Sequence, residues 1–502
     1  MKARQLLGAV LLTAGLTACA AAPPPAETPT PKPTPTPVPA AFSLPYYSNT
    51  SLHPITGTNR TNLTLRSLVY EGLFALDNAF EPENGLCASY SVSEDGLRWT
   101  FRLTAARFSD GSRLTAEDVV TSLNTARSSE LYAQRLADLS KVEGEGDTVT
   151  ITLRRPRGNL PALLDVPILR ESEESQPPLG TGRYAYDLNG EEPKLVRTED
   201  SETLPEEILL TAIQGADDLI YAFDAKDISL VATDLTGTDT LGFSGGYEVW
   251  DCPTTQMVYL GFHTQSGPCA DETLRRAVAL ALDRESVCVA LYARHAQSAA
   301  VPVAPQSDLY DKTAAQSLTY SPPAAAQLLE EGGYTLRDGT LYKGRSLVKL
   351  SLLVNTDNSF RVSVAEFLAQ SLRELGLTVT VEKLSWTDYQ ARLAAGKFDL
   401  YLGETSLSAD FDLTELVGRG GGLNYGGWSS AETQTLLNDY LAADSETRQT
   451  AAAALQSHLA QQVPFAPICF KQQSVLTQWG QMTGLTPTRA DPFAGTAWQV
   501  QE

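Results

Sequence analysis

Leu97, Trp99, Phe101 and Leu103 alternate with Arg98, Thr100 and Arg102, the period-2 pattern of a strand with one buried face. Asp95-Gly96 before it and Asp110-Gly111 after it are turn dipeptides, because glycine accepts the positive φ such turns need. Thr115 stands three residues before Asp118, so hydroxyl and carboxylate can each satisfy a free backbone N–H at a helix start. Val119, Val120 and Leu123 give that helix its apolar side. A second strand is expected at 148–153, a helix from 61 to about 72, and a strand at 247–253 ended by Pro253.

The second half of the chain reads more regularly. Residues 272–282 form an amphipathic helix, and Asp283 is placed to cap the next one. Ser321 followed by Pro322 and Pro323 starts a helix that Gly332 and Gly333 end. A strand at 347–354 precedes a helix through Phe360, Val364, Phe367, Leu368, Ser371 and Leu375, stopped by Gly376. Leu377, Val379 and Val381 form the next strand, 387–395 a helix stopped by Gly396, and 398–402 a third strand. Strand-helix-strand-helix-strand with tight connections predicts parallel neighbours in an open α/β sheet. In such sheets ligands lie outside the carboxyl ends of the strands. The loop 403–427 leaves such an end carrying Glu404, Asp410 and Asp412, then a glycine run and Tyr425, with Trp428 just beyond. Glycines allow close approach, aromatics offer flat apolar contact, and a carboxylate can pair with a bound ammonium. Asp410, Tyr425, Trp428 and Glu404 are therefore the expected ligand contacts, whereas Asp412 reads as a capping or solvated charge. Trp386 and Tyr389 read as core residues.

The amino terminus changes the picture. Lys2 and Arg4 precede an apolar stretch, 6–16, and Leu16-Thr17-Ala18-Cys19 follows. A charged region, an apolar region and a small-residue site make 1–18 a signal peptide. The cysteine directly after it resembles a bacterial lipobox, with Cys19 as the lipidated residue. Residues 23–39, PPPAETPTPKPTPTPVP, favour extended polyproline II and read as a semi-rigid spacer. Lys and Arg number 38 against 60 Asp and Glu, a net charge of −22, which repels nucleic acid at long range. Besides Cys19, Cys87, Cys252, Cys269, Cys288 and Cys469 show no C-x-x-C pair. Neither a zinc cluster nor a redox motif is indicated; buried thiols are expected, with one disulfide left open. The four histidines show no metal-binding spacing, and no dinucleotide or P-loop fingerprint occurs, so no metal and no cofactor are expected. Gly242-Phe243-Ser244-Gly245-Gly246 satisfies G-x-S-x-G, but that nucleophile elbow needs a helix directly after it. Here a strand-like stretch follows.

The string SEDGLRWTFRLTAARFSDGSRLTAEDVV from Ser93 closely resembles the signature of the ABC-transporter solute-binding proteins of family 5, the oligopeptide-, dipeptide- and nickel-binding type. There a W-x-F-x-L strand leads to F-S-D-G and L-T-A-E-D-V. Val69-Tyr70-Glu71-Gly72-Leu73, Gly180-Thr181-Gly182-Arg183-Tyr184, the stretch 226–231 (a short strand in that family), the stretch 258–263 and LRRAVALALDRESV from Leu274 resemble further elements of that family, with Arg183 and His263 as departures. The resemblance implies a two-lobed, type II periplasmic-binding-protein-like α/β fold with an extra small α+β domain inserted in the first lobe. The expected organisation is signal peptide 1–18, anchored linker 19–40 and first lobe 41–62. The inserted domain (63–177), first lobe again (178–258), second lobe (259–470) and return to the first lobe (471–502) follow. Ala409-Asp410-Phe411-Asp412 matches the start of a family string in whose neighbourhood peptide-binding members hold the peptide's α-amine. The function implied is capture of a small solute, by default a peptide, and its delivery to ABC permease subunits, with no enzymatic step. The protein is expected to be a monomer anchored by lipid on Cys19 at the outer face of the cell membrane. A signalling receptor on the same fold and an extracellular hydrolase using Ser244 are the alternatives.

Overall fold

In the computed structural model, residues 42–500 are described apart from 173–175, 202, 239–240 and 481; the signal peptide, Cys19 and the proline-rich spacer lie outside them. No helix among the described residues is long and apolar enough to cross a membrane.

The alternating segment becomes the strand Arg98–Leu103, burying Trp99, Phe101 and Leu103. It sits inside a four-stranded antiparallel sheet, between Cys87–Val92 and Thr148–Leu153, with Leu139–Glu145 at the far edge. The helix Ala116–Arg127 packs on this sheet, and its Thr115/Asp118 capping box is formed. Asp118 also accepts two bonds from Arg170, at 2.8 and 2.7 Å. Burial pushes the Asp118 carboxyl up, but the bonds from Arg170 and Thr115 outweigh it and hold the group below the ordinary range.

A second four-stranded sheet pairs Ser43–Tyr47 in parallel with Glu207–Ile213, followed by Lys194–Arg197 and Tyr184–Asp187. The expected helix at 61–72 is instead two short turns, Arg60–Thr64 and Arg66–Val69. It stops at extended Tyr70 because the Val69 carbonyl accepts from Gly182 N–H (2.9 Å) across the loop. Likewise the strand expected at 226–231 is Leu230–Thr233, since Lys226 takes a positive φ after the preceding helix.

The largest sheet has seven strands. Lys349–Asn355 lies at its parallel end between Thr378–Leu384 and Leu400–Ser406, the arrangement the strand-helix alternation predicts. Asn358 caps the helix Ser359–Glu374, and Gly376 takes φ +88° just beyond it, a value glycine adopts without strain. Two long antiparallel strands, Tyr247–Phe262 and Phe465–Gln478, run through the sheet and join two cores. Cys252 and Val475 belong to the core built on the first two sheets, whereas Val258, Leu260 and Ile468 belong to the core of the parallel end. The molecule is thus two-lobed, with crossing strands as its spine. The strand expected to end at Pro253 does not end there. It continues to Phe262, with a register irregularity between Pro253 and Met257 that accommodates a residue lacking an N–H.

Candidate functional site: the cleft at the crossing strands

Where the crossing strands pass between cores their sequence turns polar. Thr254, Thr255 and Gln256 on one, and Gln472 and Gln473 on the other, line a cavity of about 670 Å³. Tyr47, Arg60 and Arg66 line it from the first lobe, Ser406 from the second, and Arg489 from the returning segment. Asp234 also lines it, with its carboxylate 2.6 Å from Lys471 Nζ. Lys471 is 1% exposed, donates to the Thr236 carbonyl at 3.2 Å and lies 3.5 Å from Glu404. Glu404 in turn accepts from Gln256 and lies 3.3 Å from Arg361 Nε. These two acids and two bases are mutually matched. Thr236 further accepts from Asn358 Nδ2 (3.1 Å), and Thr238 Oγ1 from Arg361 Nη2 (3.3 Å). A first-lobe loop is thereby tied to the start of a second-lobe helix across the cleft.

The structure scatters the four expected ligand contacts. Glu404 stands behind the cleft wall, one hydrogen bond from Gln256. Asp410 does not present a free carboxylate. It is 5% exposed, lies 3.0 Å from Arg157 Nη1, and accepts from Ser408 at 2.5 Å. Arg157 also donates to Asp138 (2.6 Å) and Asp412 (2.5 Å). Burial alone would depress the Arg157 guanidinium, but three carboxylates raise it above the ordinary arginine value. Within the aspartate pair, burial pushes Asp410 up despite Arg157. Asp412 is held down, because Arg157 and Thr414 outweigh its burial. Tyr425 and Trp428 do not reach the cleft. Tyr425 packs edge-on against Tyr401 at 5.9 Å, and the Trp428 indole donates to Thr433 (3.1 Å) under the guanidinium of Arg275. Gly426 pins both near the outer end of the first crossing strand by accepting from Thr264 N–H.

Other readings resolve as follows. Tyr389 is buried and donates to the Leu402 carbonyl (2.7 Å), but Trp386, stacked on it, is 48% exposed and so is not a core residue. Ser244 donates to Asp224 (2.5 Å) on an exposed loop, with a strand from Tyr247 and no helix after it; the nucleophile-elbow geometry is not formed. Cys87, Cys252, Cys269, Cys288 and Cys469 are all free and buried. Burial pushes the Cys252 thiol up to about 12, with Asp251 adding to it. Arg60, Arg66, Arg489 and Lys471 were not expected from the sequence. One signal was available: the polar run Lys471-Gln472-Gln473-Ser474 interrupts an otherwise apolar strand.

The model of bacterial extracellular solute-binding proteins, family 5 (Middle), matches residues 81–415. The chain belongs to family 5. It is a bacterial extracellular solute-binding protein rather than an enzyme. The oligopeptide-binding protein AppA of Bacillus subtilis (strain 168) is 25% identical over 424 residues, 78% of each chain. The structure of the oligopeptide-binding protein AppA from Bacillus subtilis in complex with a nonapeptide superposes with a TM-score of 0.61. It is 21% identical, covering 92% of this chain and 99% of that one. The nickel ABC transporter structure from Bacillus halodurans gives a TM-score of 0.74 at 20% identity, covering 91% and 98%. These solved structures share with this chain the two-lobed fold.

Proposed function

We propose that this family 5 protein captures a peptide in the cleft between its lobes and hands it, chemically unchanged, to an ABC permease. The observation that carries this reading is the polar, register-broken middle of the two crossing strands, which lines the cavity and joins the cores at the same place. A polar break in a paired ribbon is where two rigid bodies can rotate with little loss of packing. A ligand that touches both lobes then favours the closed form by its differential affinity. Amide and hydroxyl side chains such as Gln256, Gln472 and Thr254 suit the main-chain groups of an extended peptide. The similarity to AppA, whose structure holds a nonapeptide, favours peptide cargo. Glu404 is retained from the expected contacts, acting through Gln256. Lipid on Cys19 and the polyproline stalk would hold a monomeric body at the outer face of the membrane. Native mass spectrometry of gently purified protein, paired with small-angle scattering, tests the reading. A co-purified peptide, and compaction on its re-addition, are expected; a body that retains no solute and never compacts would refute it.

A further inference from the structure

Arg66, Arg135 and Arg489 surround Tyr132 and Asp165, and this group opens onto the cleft through Arg66 and Arg489. Arg66 Nη1 donates to the Tyr132 hydroxyl (3.1 Å), and the Arg135 guanidinium lies 4.7 Å from the centre of the Tyr132 ring. Arg135 Nη1 is 2.7 Å from Asp165, and the same carboxylate attracts Arg489. Arg135 Nε and Nη2 and Arg489 Nη1 are shielded from solvent and lack any hydrogen-bond partner among the described residues. Desolvation depresses the Arg489 guanidinium, and the repulsion of Arg135 and Arg66 adds to it against the attraction of Asp165. Arg60 brings a further cation to the same wall. Asp234 is the acid among the residues lining the cavity, and Lys471 already neutralises it. A chain of net charge −22 thus lines its cleft with uncompensated positive charge. Buried donors without acceptors are costly in the empty protein, and a planar guanidinium pairs best with a carboxylate.

We infer that the cleft selects a ligand bearing carboxylates, seated on Arg66 and Arg489 with Arg60 beside them. This deepens the peptide reading and rests on it: the cargo is an acidic peptide.

The test offers the full-length protein a pool of synthetic tetra- and pentapeptides. Acidic members with free carboxyl termini are matched to their Gln/Asn, amidated counterparts and to lysine-bearing ones, and citrate is added. Retention is read by native mass spectrometry. Acidic peptides should be retained at least about tenfold over their neutral matches, as expected for charge-assisted bonds. Arg66→Gln and Arg489→Gln should each remove that preference without lowering the melting temperature of the ligand-free protein. Arg98→Gln, on an exposed strand position outside the cleft, should leave the preference intact. Retention of citrate but no peptide would support the carboxylate assignment and sink peptide cargo. Equal retention of neutral or lysine-bearing peptides would overturn the assignment and leave peptide cargo standing. Retention of nothing would overturn both. Should either variant fail to fold, the pool on the unaltered protein still decides.

Discussion

Arg157 is held by three carboxylates, and its removal would leave Asp410 buried without its cation, while Arg155 still pairs with Asp138 at 2.8 Å. Arg157→Met should therefore cost about 3–5 kcal/mol, the range for breaking a buried ion pair from one side, read by urea unfolding. Asp410→Asn should cost markedly less, because Arg157 keeps Asp138 and Asp412. A smaller loss for Arg157→Met than for Asp410→Asn would contradict this account. The sequence could not have revealed the arrangement, since Asp410 and Arg157 lie 253 residues apart; a loop carboxylate read alone looks available. A second residue sets a pH dependence. His295 Nδ1 lies 2.9 Å from Asp251, and that hydrogen bond raises the imidazole's pKa above its ordinary 6.5. A group whose folded pKa is raised contributes fully below the unfolded value, and its contribution is lost as pH rises through the folded one. Melting temperature should thus fall as pH climbs upward from about 6.5, and His295→Gln should flatten that fall. An identical slope in the variant would count against the pairing.

At the scale of elements, the first crossing strand and its neighbour Leu400–Ser406 alternate glycine and tyrosine in opposition. Gly261 faces Tyr401, and Tyr259 faces Gly403. A Cβ on Gly403 would lie 2.5 Å from the Tyr259 ring, and one on Gly261 would collide with the Tyr401 ring. The rings themselves meet edge-on at 5.8 Å. Each ring covers the backbone of the glycine opposite, as aromatic side chains do over strand glycines. Gly261→Ala should cost about 1–3 kcal/mol by overpacking, and Tyr401→Leu in the same chain should recover part of that loss. No recovery in a double-mutant cycle of unfolding energies would sink the pairing. Element types were largely legible in the sequence, because amphipathic period and caps are local: Thr115, Asp283 and Ser321 all cap helices where they stand. Two of the errors share a cause. Pro253 and the 61–72 segment were decided by partners distant in sequence, a bulged ladder in one case and the Gly182 N–H in the other.

At the scale of the molecule, Thr236, Asn358, Arg361 and Lys471 tie the lobes across the cleft. Asn358→Ala removes one donor to the Thr236 carbonyl, leaves the Lys471 bond, and also removes the cap of Ser359–Glu374, about 1 kcal/mol for each loss. The expected result is a larger radius of gyration in the ligand-free protein by scattering, with ligand restoring the compact form. Unchanged dimensions would mean that the tie does not hold the lobes. The two-lobed plan was legible through the family signature and the parallel strand pattern. The charged wall of the cleft was not, because Arg60, Arg66 and Arg489 come from opposite ends of the chain and only folding assembles them.

That assembly has a consequence for the order of events during biosynthesis. Arg489 follows both crossing strands, so it is made only after the spine of the large sheet. Until it docks, the recess lacks one of its guanidinium groups, and a chain still being made has little means of holding a carboxylate there.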